Sequence, residues 1–307
     1  MGREGHSTYN FIRRYLPEQK LIIADAKQVE IDDPNVELIC GDGYLDAINR
    51  ADTVIKAPGV PLLHWKRPQG VEITCQTDLF LRYSGFNCVG VTGTKGKTTT
   101  STLIYSMLRA AGKEACLIGN MGYPVFDSLE DCAGETAVIE MSSHQLEFTS
   151  RSPHIAVLTN IYPEHLDHYD SFECYVGAKL NIVRNQGEGD TFIYNADQGL
   201  DGFFDISEYP GEAVGVSVNT PDAEKYRDIN THLLGEHNIQ NCMFAAEAAR
   251  RCGVSDEDIM RALKDYEGIE HRMEFFATVK GIKFVNDCIA TIPHSVMCAV
   301  EALGDVD

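Results

Sequence analysis

The stretch from Gly90 to Tyr105, GVTGTKGKTTTSTLIY, constrains this chain more than any other. The apolar run CVGVTG leads into it and predicts a strand, and a helical pattern opens at Lys97. Glycines between a strand and a helix let backbone N–H groups turn toward an anion. The helix N-terminus adds partial positive charge at the same place. Lys97 is spaced to reach the terminal phosphates of a nucleotide, and the Thr98 hydroxyl to ligate Mg²⁺. The usual G-x-x-x-x-G-K loop is shortened here to G-T-K-G-K, with Thr94 and Lys95 between Gly93 and Gly96. A glycine-rich turn without a ligand is the plain alternative. Strand, glycines, Gly-Lys-Thr and helix together favour the phosphate site.

Around this loop, short β-like runs alternate with helical ones, which predicts α/β architecture with mainly parallel sheet. KLIIAD, VELICG, DTVIKAPG and VEITC predict the strands of a first domain over 1–87. A central domain over 88–273 would hold strands CVGVTG, TAVIEM, IAVLTN and TFIYN. Its helices are expected at Lys97–Ala111, Phe172–Asn185, Asn238–Arg251 and Asp256–Tyr266. The polar segment Gly199–Asp228 reads as surface loop. FFATVKGIKFVND predicts a hairpin turning at Lys280-Gly281, and a helix follows over Pro293–Leu303, so 274–307 reads as the beginning of a third, βα domain. At the front, GREGHSTYNFIRRYLP resembles a glycine turn opening a helix, with Asp25 about 20 residues on, the dinucleotide-type layout. No strand precedes that turn, so the first, Rossmann-like domain is expected to lack its first strand, as the third lacks its remainder.

Composition narrows the function. A formal net charge of −20 disfavours general nucleic-acid binding, which needs a basic face. No apolar run reaches about 18 residues, and the N-terminus has no apolar signal core, so the expectation is a cytoplasmic protein without membrane association, and a monomer. The ten cysteines form no CxxC pair, which argues against structural zinc and for free, mostly buried thiols.

Several further stretches, KAPGVPL, GNMGYP, IEMSSHQLE, LTNIYPEHLDHY, YVGAKLNIV, GEHNIQN, GIEHRMEF and NDCIAT, occur in the order seen in the Mur ligases. These are the ATP-dependent amino-acid-adding enzymes of bacterial cell-wall peptidoglycan synthesis, and GVTGTKGKTTT resembles their ATP loop. The string EMSSHQLE resembles the branch that joins D-glutamate to UDP-N-acetylmuramoyl-L-alanine. What the resemblance implies is an acyl-phosphate mechanism using ATP and two Mg²⁺ ions. ATP would contact Gly93, Thr94, Lys95, Gly96, Lys97, Thr98 and Thr99, with Asn241 at adenine, Arg272 at phosphate and Asp287 at ribose. Metal would be held by Thr98, Glu140, His165 and Lys179, the last carbamylated by CO₂. Lys97, Lys179 and His165 would serve the chemistry. Asp167 and His168 would only support the metal loop. Gly5, Asp25 and Gly59 would bind the UDP moiety, with Asn120 and Ser142 near its peptide end.

Read on residue chemistry alone, these positions also have ordinary uses. Glu140 is a strand-end carboxylate, Lys179 a helix lysine, and Asn238 a cap for the helix it heads. The family's lysine in the N-D-S-K-A-T-N stretch is Ile289 here, which removes a cation near the amino-acid end of the site. With only the start of the third domain in the sequence, the chain as given is expected not to complete peptide ligation. Two rival readings remain open at this stage. One is a related ATP-dependent ligase of the folylpolyglutamate type. The other is a non-catalytic nucleotide-binding fragment or pseudoenzyme.

Overall fold

The computed structural model describes residues 1–62, 68–119, 123–129, 132, 136–230, 232–288, 290 and 293–304, without the side chains of 293–295 and 298. The chain opens with α1 (Arg3–Tyr15), then β1 (Leu21–Asp25), β2 (Val36–Cys40), β3 (Thr53–Ile55), β4 (Glu72–Thr74) and α2 (Gln76–Tyr83). These strands form two separate parallel pairs, β1 with β2 and β3 with β4. A small cluster of Ile48, Leu62, Val71 and Ile73 lies beneath the second pair. Phe148, from much later in the chain, packs into it.

The main body follows: β5 (Asn87–Thr92), α3 (Lys97–Ala110), β6 (Ala115–Ile118), β7 (Thr136–Glu140), α4 (Ser143–Leu146), β8 (Ile155–Leu158), α5 (Phe172–Arg184), β9 (Thr191–Asn195), β10 (Glu212–Val216), α6 (Glu236–Arg251) and α7 (Asp256–Lys264). The six strands make one parallel sheet in the order β10-β9-β8-β5-β7-β6. Side chains alternate between its faces, as the period of two requires. Val89, Val91, Val138, Val157 and Ile193 join the core under α3, α6 and α7. Cys88, Ala137, Ile139, Ala156, Leu158 and Phe192 join the core that α5 covers with Tyr175, Val176, Leu180 and Val183. Burial on both faces is why these strands read as nearly unbroken apolar runs. Each buried Val, Leu, Ile or Phe contributes roughly 1.5–3 kcal/mol.

Strand order also places the loop. From β5 the chain runs outward to β6, returns to β7 beside β5, then crosses to β8 on the other side of β5. The loop after β5 thus leaves the sheet at a topological switch point, where open parallel sheets bind ligands beyond their strand ends. The last elements are the antiparallel hairpin of β11 (Glu274–Val279) and β12 (Ile282–Asn286), then α8 (Pro293–Leu303). The hairpin turns at Lys280 and Gly281, both with positive φ (+52° and +84°), the type I′ signature.

The structure corrects four sequence expectations. Ala115–Ile118 is a strand where none was named. Glu212–Val216 is a strand inside the segment read as loop; it is short, mostly exposed and held only at the sheet edge by β9. The helix expected from Asn238 begins at Glu236 behind Gly235, so Asn238 is not its cap. Cys116 and Cys132 are joined in a disulfide, with Cα atoms 5.3 Å apart. The expectation of free thiols therefore holds for seven described cysteines and fails for this pair.

Candidate functional site: a phosphate-type loop ringed by buried charges

The loop between β5 and α3 is locked by its neighbours. Gly93 has φ +150° and Gly96 φ +86°. A Cβ on Gly93 would fall 1.9 Å from Thr159 Oγ1, and one on Gly96 2.4 Å from Asn241 Oδ1. Only glycine fits either place. The segment after β8 clamps the loop from outside. Asn160 O accepts from Thr94 N (2.9 Å), Asn160 Oδ1 from Lys95 N (2.8 Å), and Lys95 O from Thr159 Oγ1 (2.6 Å). The Thr94 hydroxyl is 2.9 Å from the Tyr175 hydroxyl and accepts from Tyr162 N at 2.9 Å, so it faces away from solvent. Lys95 pairs with Glu164 at 2.7 Å.

Two lysines converge on one carbonyl. Lys97 Nζ donates to Gly93 O (3.0 Å) and Thr94 O (2.9 Å). Lys179 Nζ donates to Gly93 O at 2.7 Å and lies 4.7 Å from the centre of the Tyr175 ring. Lys179 is only 2% exposed. Desolvation, then the Lys97 charge, drives its pKa well below the usual lysine value. Desolvation lowers Lys97 too, against the pull of Glu140 and Glu164.

Glu140 ends β7 beside the loop. Burial raises its pKa, opposed by Lys97, a bond from Thr98, and the charges of Arg272 and Lys179. Its Oε2 is buried with no hydrogen-bond partner, and so is Arg272 Nε. His165, in the left-handed region (φ +56°), is within electrostatic reach of Lys179 and Lys97. The Asn241 amide accepts from Thr100 Oγ1 (3.3 Å) and donates to Asn238 Oδ1 (3.1 Å).

Thus Gly93, Thr94, Lys95, Gly96, Lys97, Thr98, Glu140, His165, Lys179, Asn241 and Arg272 come together; Thr99 lies buried in the first turn of α3. Asp287 accepts from the N–H of Met273, next in sequence to Arg272, at 3.1 Å. Ser142 is occupied structurally: with Gln145 it forms a capping box at the start of α4. Gly5, Asp25 and Gly59 stand in the first segment, with local contacts. Asp25 accepts from Lys27 N at 2.8 Å, Gly5 lies against the Met1 side chain, and Gly59 is exposed with open space where a Cβ would sit. Asn120 and Ile289 lie outside the described residues.

The clamp residues Thr159, Asn160, Glu164 and Tyr175 did not emerge as site residues from sequence. The signal available was position: Asn160 and Glu164 fall inside the quoted stretch LTNIYPEHLDHY, and Tyr175 lies one helical turn before Lys179. Among the described residues no three His, Cys, Asp or Glu side chains form a ready-made metal cage. Magnesium needs none. It commonly takes one or two protein oxygens and completes its shell with phosphates and water, and the partnerless Glu140 oxygen beside Thr98 fits that demand.

Residues 91–206 match the family model described as the Mur ligase middle domain. The chain is 33% identical over 296 residues to the UDP-N-acetylmuramoylalanine–D-glutamate ligase of Acetivibrio thermocellus, covering 88% of this chain and 63% of the relative. It is 32% identical over 295 residues to the ligase of the same name from Geobacillus kaustophilus, covering 89% and 65%. The chain therefore spans less than two thirds of the length of these curated relatives. Among solved structures, the MurF ligase of Thermotoga maritima in complex with ADP matches with TM-score 0.61 at 19% identity, over 96% of this chain and 68% of that one. A mutant of L. casei FPGS matches with TM-score 0.55 at 15% identity, over 71% of each. Those likenesses concern the fold, whereas the sequence matches go further: residues 91–206 form a Mur ligase middle domain built around this loop, and the chain is similar to Mur ligases along most of its length.

Proposed function

We propose that this chain carries the nucleotide and UDP-substrate sites of an ATP-dependent ligase that joins D-glutamate to UDP-N-acetylmuramoyl-L-alanine in peptidoglycan synthesis, in the cytoplasm and as a monomer. The division proposed is 1–87 for the UDP substrate, 88–273 for ATP, and 274–307 as the start of a further domain. The observation that carries the reading is the set of groups around Gly93: the half-buried cations Lys97 and Arg272, the deeply buried Lys179 amine, and the partnerless Glu140 oxygen. A cationic pocket with one free carboxylate oxygen suits a triphosphate and its cation. It has no evident use in an apolar or purely structural loop.

In this reading the substrate carboxylate attacks the γ-phosphorus of ATP, the bond to ADP breaks, and an acyl phosphate forms. The D-glutamate amine then attacks the acyl carbon, loses a proton, and phosphate leaves. The barrier to the first step is anion meeting anion. Lys97 and Arg272 offset that repulsion, and the N–H groups of Gly96, Lys97 and Thr98 at the head of α3 would hold the phosphates in line, those of Thr94 and Lys95 being taken by Asn160. Asn241 would face adenine and Asp287 the ribose. Gly5, Asp25, Gly59 and Ser142 would position the UDP substrate, with Asn120. Glu140, Thr98 and His165 would hold magnesium, which when bound neutralises phosphate charge. Lys179 is poised for carbamylation because burial, and then the Lys97 charge, favour the neutral, nucleophilic form of its amine. Its nitrogen would bond to the carbon of CO₂ and release a proton, making a further anionic ligand.

Calorimetry with Mg·ATPγS and with UDP-N-acetylmuramoyl-L-alanine, followed by an assay for D-glutamate-dependent phosphate release, tests this reading. Binding of both ligands supports it. Binding of nucleotide with a folate substrate in place of the UDP compound would instead favour the folylpolyglutamate-type ligase. Binding of nucleotide alone would make the chain a non-catalytic nucleotide binder.

A further inference from the structure

Three residues before Gly59, the Lys56 side chain is about 1% exposed. Its ammonium sits 3.0 Å from Glu147 Oε2, donates to Pro58 O at 3.2 Å and lies 5.4 Å from the centre of the Phe148 ring. Glu147 is 6% exposed, and its other oxygen meets His168 Nε2 at 2.5 Å. The His168 ring lies 4.3 Å from that of His144, which in turn meets the His165 ring edge-on at 4.9 Å. Phe148, next to Glu147, is the side chain that packs into the cluster of Ile48, Leu62, Val71 and Ile73. Three segments distant in sequence are thus joined: the Pro58-Gly59 turn, the end of α4, and the loop carrying His165.

Stability does not explain such a pair. Taking two charges out of water costs several kcal/mol per ion, and apolar replacements of similar volume are often as stable or more so. What an ammonium held by two oxygens and a ring does, and an apolar contact does not, is admit a single arrangement. Lys56 bonds to the carbonyl of the very turn whose Gly59 backbone is open to a ligand. Glu147 then passes that constraint to the His165 loop through His168.

We propose that Lys56, Glu147 and His168 form a positioning network that couples occupancy of the UDP-substrate turn to occupancy of the nucleotide loop. The ligands named rest on the function proposed above; the network itself rests on the contacts just given. None of the three residues has to touch a reacting atom. They fix the relative placement of the two sites, so that each ligand binds better when the other is present.

The test uses the full chain and calorimetry of Mg·ADP with and without saturating UDP-N-acetylmuramoyl-L-alanine, in wild type, Glu147→Gln and Lys56→Met. Wild type is expected to show at least about fivefold mutual tightening, the low end of ordinary coupling. Either variant should reduce it to less than about twofold, while each ligand alone keeps its affinity within about threefold. A merely structural role would weaken the separate affinities and leave their ratio intact. Should a single variant fail to fold, Lys56→Met combined with Glu147→Leu, which buries no unpaired charge, is expected to fold and to be uncoupled. Wild-type coupling in the variants, or none in wild type, overturns the proposal. If wild type binds neither ligand, the functional reading falls and the network is judged by energy transfer between dyes at exposed Lys20 and Glu188. A distance distribution that broadens in Glu147→Gln supports the network, and an unchanged one overturns it.

Discussion

Lys97 and Lys179 donate to the same carbonyl oxygen, and each makes the other's charge harder to keep. Glu140 and Glu164 act as counter-charges to both lysines; at Lys97 they rank next after burial, whereas at Lys179 the repulsion from Lys97 ranks ahead of them. Reversing the charge at the better-compensated site is the sharper experiment. Lys97→Glu should weaken Mg·ATPγS binding by at least about 30-fold, roughly 2 kcal/mol, with the folded fraction in circular dichroism unchanged. Glu4 supplies a second residue-scale prediction. Burial, opposed by Lys56, raises its pKa to about 7, and its Oε1 has no hydrogen-bond partner. Between the ordinary glutamate value and about 7, the folded state holds a proton that the unfolded state has released. This group's contribution is therefore full at acid pH and is lost as pH rises through that window. Glu4→Gln should match wild type near pH 4 and exceed it by roughly 1–3 kcal/mol at pH 8, read from urea denaturation across pH. Sequence did not single out Glu4, since nothing local says that a helix-start glutamate will be enclosed.

At the scale of elements, legibility followed burial. Strands β5, β7, β8 and β9 are covered on both faces, so their apolar runs announced them. β10 has one neighbour and an exposed, Gly- and Glu-containing sequence; its strand state comes from pairing with β9 rather than from propensity. α4 has a single turn and too few residues for a helical period to register. Its signal was the pair Ser142 and Gln145 at capping-box spacing. That pair separates two roles for Ser142. Ser142→Ala should lower stability by about 1 kcal/mol in the absence of any ligand, through loss of the cap. A larger loss of affinity for UDP-N-acetylmuramoyl-L-alanine than this accounts for would add a substrate contact to the cap.

For the whole molecule, the disulfide is the feature composition argued against. Cys116 ends up beside Cys132 because β6 lies at the sheet edge and the chain returns past it to reach β7. Protein isolated without reductant and alkylated in denaturant should take up two fewer alkyl groups than after reduction. For a sequence separation of 16 residues, loop-closure entropy gives about 3 kcal/mol of stabilisation, so reductant should lower the urea midpoint measurably. Sequence by itself determined the strand–glycine–helix loop with its Gly-Lys-Thr and the alternation of α and β. Those depend on spacing along the chain and on side-chain type, which are local. Tertiary structure decided which charges share a pocket, that the Glu140 oxygen and Arg272 Nε stay free while Ser142 is tied up, that Lys56 meets Glu147 across the molecule, and that two of the cysteines pair. Each of those outcomes depends on how far water is excluded and on which distant segment arrives, and no stretch of sequence holds that information alone.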